Sequence, residues 1–381
     1  MTQINKKIFL ILCFLVPGQF LLPAWEFQSP YGFALDLPDG WEILNEEDQA
    51  KISFTDSEHV SVLQVTLSPA DSEGSAGDLC SIVRKTLSAA GDSAGFYYNG
   101  FEAVFADFTF SAGPYPARGY FVFLHTRELD YVITAFTAAE RYQEKHDYLL
   151  SCLDSFSPDC NAVIPGPVSA FYDYTPSPEY IQTSFPLGQS TVPWKCIPAG
   201  LESSQLLIER EARILIEYEN DRDGAWQRYY RLIYRDNFHR LKDLSRGISE
   251  YFQKKKIARE DIPEALLEEL QRFPYSRTGT LSDMLSPLTT AIRREGDCDS
   301  RGLLYAILLN SLGYETILLV SSEYSHSMAA VRLNKPGAVF TYDGHKYLVA
   351  ELTESVSIGM IDAGMADPAK WVPVDFPRVA P

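Results

Sequence analysis

One run of residues, 295–313, leaves the chain few ways to fold. Behind Glu295-Gly296-Asp297-Cys298, apolar residues recur at three-and-four spacing through Leu303, Leu304, Ile307, Leu308 and Leu312, and Gly313 stands where a left-handed helix stop is expected. The spacing predicts a buried helix over 299–312. Just before it, Gly296 and Asp297 supply a tight turn and an N-cap, which places Cys298 at the helix N-terminus, where the first backbone N–H groups lack partners. That end of a helix favours negative charge, and its N–H groups can hold the oxyanion of an attacked carbonyl. A cysteine nucleophile needs both.

A thiolate alone is a poor acyl-transfer catalyst, because a second group must take the thiol proton and return it to the leaving amine. His326 is the downstream candidate. Residues 315–321 read as a buried strand leaving the helix, Glu323-Tyr324-Ser325 as a turn, and 327–333 as the returning strand with His326 at its mouth. A third strand, 346–353, follows the Asp343-Gly344 turn. Alternation along it points Glu351 away from Ala350 and Leu352, and a carboxylate beside the histidine strand can fix the imidazole tautomer. The candidate catalytic residues are therefore Cys298, His326 and Glu351. His345, in the Asp343-Gly344 turn, is a rival base that the pattern puts at the surface. Asp297 and Asp299 fit cap and dipole roles better than metal ligation.

On these residues the segment resembles the core of the transglutaminase-like superfamily, the papain-like fold shared by transglutaminases and bacterial transglutaminase-like cysteine proteinases. The matching residues are Gly296-Asp297-Cys298-Asp299, Leu312-Gly313-Tyr314, His326-Ser327-Met328, and Tyr347 through Glu351 to Thr353, then Ile358-Gly359. Phe273-Pro274-Tyr275 fits too, and the likeness covers 205–375. Glu351 departs from the Asp of most of the superfamily, in the manner of a Gly-Asp-Cys branch with a Glu-x-Thr setting. The resemblance implies a cysteine peptidase or amidase that acts on a protein or peptide through a thioester and uses no organic cofactor. Some relatives bind calcium, but no ligand set for it stands out here, so no metal is expected. The alternative is a non-catalytic binding or scaffold protein that keeps the fold.

At 381 residues, with 46% hydrophobic and 13% aromatic, the chain can bury two cores. A formal charge of −18 argues against nucleic acid or an anionic membrane surface as partner. Residues 1–24 read as a secretory signal, with Lys6 and Lys7, an apolar run over 8–16, and breaks at Pro17-Gly18 and Pro23-Ala24. The expected location is periplasmic or secreted, with no membrane span once the signal is removed. Loss of Cys13 leaves Cys80, Cys152, Cys160, Cys196 and Cys298, an odd set that fits two disulfides and one free thiol. Of the connectivities open, the expected one joins Cys80 to Cys152 and Cys160 to Cys196.

Residues 25–157 read as a self-contained α+β unit: strands at 33–38 and 60–67, a helix over 76–90, a meander at 100–110, 119–124 and 131–137, and a closing helix over 138–156. The stretch from Tyr31-Gly32-Phe33 to Trp41 resembles the opening of PsbP-like domains, an antiparallel sheet with helices. No acid–base or metal set appears in this unit, so binding a protein partner is its expected role. Prolines mark 158–204 as an extended linker. The transglutaminase-like domain then occupies 205–381, opening with two strands at 206–218 and 226–234 about a turn at 221–224, followed by helices over 238–255 and 261–272. The expected fold class is α+β in both halves, PsbP-like and then papain-like.

Overall fold

The computed structural model describes residues 27–47, 50–217 and 222–377. The expected signal at 1–24 lies outside the described residues. The molecule is α+β, with helices packed on antiparallel sheets.

In the first half β1 (Phe27–Gln28) pairs with β2 (Ala34–Leu35). The main sheet is built of β3 (Glu42–Glu47), β4 (Lys51–Thr55), β5 (Ser61–Pro69), β6 (Ala90–Tyr98), β7 (Phe101–Ala112), β8 (Tyr115–His125) and β9 (Leu129–Ala138), in the order β3-β4-β5-β9-β8-β7-β6. Strict alternation drives it: along β5, Ser61, Leu63, Val65 and Leu67 are buried while the residues between them are half-open. One face is covered by α1 (Ala76–Thr86), capped by Ser75, over Phe108, Phe121 and Phe123. The other is covered by α2 (Tyr142–Ser155) over Leu63, Val65, Val122 and Ile133.

This sorting overturns the expected disulfides. Cys80 lies in the cluster beneath α1 and Cys152 in the cluster beneath α2, so the sheet stands between them. Cys196 is packed with Trp194 in the core of the second half, and Cys160 is tied by its backbone to Gly32. Among the described residues no disulfide forms.

The stretch 158–204 is not an extended linker. Pro167 opens α3 (Pro167–Asp173), and β10 (Ile181–Leu187) pairs with β11 (Ser190–Cys196) in a hairpin that sends Phe185, Leu187, Val192 and Trp194 into the second core. Pro167 starts a helix, and Pro186 and Pro193 sit in a two-stranded ribbon, where every strand is an edge.

The strands expected at 206–218 and 226–234 are helices, α4 (Ala199–Leu215) and α5 (Arg222–Arg240). Their helical period is masked because charged residues point inward at the junction of the two halves. Arg228 is buried and donates to Asp36 O at 2.7 Å, to Glu211 Oε2 at 2.9 Å and to Ser151 Oγ at 2.7 Å. Arg235, also buried, donates to the carbonyls of Ile164, Ser155 and Phe156.

Then come α6 (Lys242–Lys255), α7 (Ile262–Gln271), α8 (Pro287–Arg293) and α9 (Cys298–Ser311). A second sheet follows, of β12 (Thr316–Ser321), β13 (His326–Val331), β14 (Val339–Tyr342), β15 (His345–Ala350) and β16 (Val372–Val374), in the order β14-β15-β13-β12-β16. β12 is buried on both faces: Leu318 and Val320 pack with the helices, and Ile317 and Leu319 with Trp371. Covering both faces gives such a strand its unbroken apolar run. Among the described residues no helix is long and apolar enough to cross a membrane.

Candidate active site

Asp297 caps α9, its Oδ1 accepting from Ser300 N at 2.9 Å and from Ser300 Oγ at 2.5 Å. Cys298 is therefore the first helical residue, and its N–H, like that of Asp299, has no helical carbonyl to reach. Gly296 is needed for space: a Cβ there would stand 2.8 Å from Ser300 Cβ and 3.2 Å from Thr290 Cγ2. The Gly296 amide donates to Pro274 O at 3.1 Å, and its carbonyl accepts from Arg301 Nε at 2.8 Å. Arg301 also donates to Leu352 O at 3.0 Å, which ties the start of α9 to the loop carrying Glu351.

His326 begins β13 and Glu351 follows the last residue of β15, and the two strands are paired with Ala329 opposite Ala350. His326 Nε2 lies 2.7 Å from Glu351 Oε2. The other carboxylate oxygen accepts from Thr353 N at 2.7 Å and Thr353 Oγ1 at 2.6 Å, so Glu351 is held from behind. Cys298 stands on the same His326 imidazole, near enough to act on its charge. The three residues expected from the sequence thus stand in contact. Cys298 and Glu351 are each 4% exposed.

Burial works against a charge on His326, but Cys298 and Glu351 beside it outweigh that and push the imidazole pKa up to about 10. Burial likewise works against the Glu351 carboxylate, yet His326 and Thr353 hold it below the usual range. At neutral pH the pair is an imidazolium and a carboxylate, and the imidazolium is the partner that a cysteine thiolate requires.

Several neighbours escaped the sequence reading. Trp371 packs across His326, ring centroids 6.2 Å apart and planes at 70°, and its Nε1 donates to Met365 O at 2.9 Å. Tyr230, on α5, donates to Asp299 Oδ1 at 2.8 Å, and both it and Tyr275 are close enough to feel a charge on Cys298. Burial, then the charge of Asp299, pushes the Asp297 carboxyl up to about 6. Of the aromatic neighbours Trp371, Tyr230 and Tyr275, the last alone had a signal, the Phe273-Pro274-Tyr275 match. His345 is exposed at the start of β15, outside the cluster. Among the described residues no group of three or more His, Cys, Asp or Glu could hold a metal ion.

No protein-family profile matches the chain, and no curated protein does. Solved structures similar to it include cyanobacterial PsbP (CyanoP) from Synechocystis sp. PCC 6803, at 16% identity and TM-score 0.31, covering 38% of this chain and 98% of that one. LpqN, involved in cell envelope biogenesis of Mycobacterium tuberculosis, is 14% identical at TM-score 0.26, covering 33% of this chain and 82% of its own. A protein from Bacteroides thetaiotaomicron is 8% identical at TM-score 0.26, covering 84% of this chain and 87% of its own.

Proposed function

We propose that the chain is an exported cysteine hydrolase of the transglutaminase-like kind, in which a domain at 205–381 cuts a peptide or carboxamide bond of a protein or peptide and a PsbP-like domain at 25–157 contacts a partner. The observation that carries the reading is the contact chain Cys298–His326–Glu351 with a helix N-terminus behind the sulfur. The Cys298 thiolate attacks the carbonyl carbon, and the N–H groups at the start of α9 stabilise the oxyanion. As the C–N bond breaks, His326 passes its proton to the departing amine and a thioester remains. Water then attacks, gives its proton to His326, and the tetrahedral intermediate expels the thiolate and releases the acid. Glu351 orients the imidazole and balances its charge.

One observation favours a second reading, a non-catalytic scaffold: Cys298 is almost closed to solvent. Iodoacetamide labelling of the full chain near pH 7, mapped by peptide mass spectrometry, separates the two, together with hydrolysis of fluorescein-labelled casein. Burial pushes the thiol of Cys80 up and that of Cys196 to about 11, so both serve as internal standards. The expected result is labelling of Cys298 ahead of these two, slowed about tenfold or more by His326→Ala, and casein hydrolysis that disappears in Cys298→Ala. If Cys298 labels no faster than Cys80 and His326→Ala changes nothing, the scaffold reading stands instead.

A further inference from the structure

Away from Cys298, a cavity of about 690 Å³ opens where the two halves of the molecule meet. The turn between β6 and β7 closes it from one side, the 163–180 stretch forms a wall, and β11 with the junction of α5 and α6 forms the opposite wall. Small-molecule sites commonly have this volume and gather at such interfaces.

Charge decides what fits. Three carboxylates line the cavity and each already has a cation: Asp173 and Asp236 pair with Arg240, and Asp243 pairs with Arg246. Lys195, His239 and Lys242 line it as well, and among the described residues none of them pairs with a carboxylate. Lys195 Nζ lies 4.4 Å from the centroid of the Tyr180 ring, a weak hold compared with a carboxylate. His239 keeps an exposed face, and partial burial, then Arg240 and Lys242 beside it, pull its pKa down, so the positive charge comes from the lysines and His239 offers a ring N–H. The cavity therefore leans positive in a chain whose formal charge is −18. Its walls also carry exposed aromatic surface. Tyr97 is 55% exposed and Tyr180 is 49% exposed, and the Tyr97 and Tyr174 rings stand 6.1 Å apart.

We propose that this cavity binds a small organic anion, a carboxylate or phosphate on a flat apolar body, with Lys195, His239 and Lys242 at the acid group and Tyr97, Tyr174 and Tyr180 along the body. The site is separate from Cys298, and its test needs no turnover.

The probe is 1-anilinonaphthalene-8-sulfonate, titrated into the full chain by fluorescence, beside the uncharged N-phenyl-1-naphthylamine. Saturable binding of the anionic probe at one site is expected, weakened about tenfold or more in the double variant Lys195→Gln/Lys242→Gln, with the uncharged probe indifferent to the substitutions. Both lysines are exposed, and an unchanged far-ultraviolet circular dichroism spectrum checks that the variant folds. Displacement by benzoate assigns a carboxylate ligand and displacement by inorganic phosphate a phosphate ligand. Unsaturable uptake, unchanged affinity in the double variant, or displacement by neither anion overturns the proposal.

Discussion

His326 holds a proton in a nearly closed site because Glu351 and Cys298 supply what water would have supplied. The consequence for stability has a definite sign. The imidazole pKa rises from 6.5 to about 10 on folding, so its contribution is fully present below 6.5 and is lost as pH climbs through 10. Glu351 runs the other way: its folded value lies below 4.5, so its contribution is present above 4.5 and fades as pH falls through the lowered value. The pair therefore stabilises most between about pH 4.5 and 6.5. Urea denaturation of the wild type and His326→Ala at about pH 5.5, 8 and 10 should give a difference that shrinks toward alkaline pH. The His326 ring resonances should report an imidazolium at pH 8, and Glu351→Gln should move their titration midpoint down by about one unit or more, equal to about 1.4 kcal/mol. A midpoint that does not move would mean that Glu351 orients the ring without holding its charge.

At the scale of one element, α9 sets two demands on Asp297 that conflict. Its side chain must accept from Ser300 to cap the helix, yet burial and Asp299 make the charge unwelcome. Because the folded pKa of about 6 lies above the ordinary 3.8, the ionised carboxyl destabilises the fold above pH 6, and the penalty is relieved as pH falls toward 3.8. Asp297→Asn keeps the acceptor and drops the charge, so at about pH 8 it should be at least as stable as the wild type, with the advantage gone near pH 4. Asp297→Ala also removes the cap and should be about 1 kcal/mol less stable than Asp297→Asn at either pH. Chemical denaturation of the two variants checks both statements; an Asn variant as unstable as the Ala variant would put the weight on the charge.

The same contrast between local signal and buried charge explains what the sequence discloses. The start of α9, and the mouths of β13 and β15 that bring Cys298, His326 and Glu351 together, are legible because these elements are apolar and their ends carry distinct residues. α4 and α5 are not, because Arg210, Glu211, Arg228 and Arg235 face inward and break the apolar stripe. Tyr230 stayed hidden with them, since its link to Asp299 depends on α5 being a helix. Trp371 meets His326 only through β16 pairing with β12, two strands distant from each other in sequence.

For the whole molecule, α5 couples the two halves, with Arg228 and Arg231 reaching Asp36 on one side and Tyr230 reaching the candidate site on the other. The Arg228 guanidinium is joined to Glu211, which in turn accepts from Ser151 and Arg210, while Arg210 donates to Asp154. Every member of this network is buried, so removing one partner strands a charge that water cannot reach. Arg228→Ala should therefore cost about 3 to 5 kcal/mol. Arg213, also at the junction, pairs with Asp147 through a side chain 49% exposed, and Arg213→Ala should change stability by less than about 1 kcal/mol. Calorimetry can also show whether unfolding stays a single transition. The network spans both halves, so its loss in Arg228→Ala should split the melt into two, the first half and the second unfolding at separate temperatures, while Arg213→Ala keeps one transition. Equal small effects from both arginines would mean that apolar packing alone joins the halves, and that α5 carries no coupling from Asp36 to Tyr230.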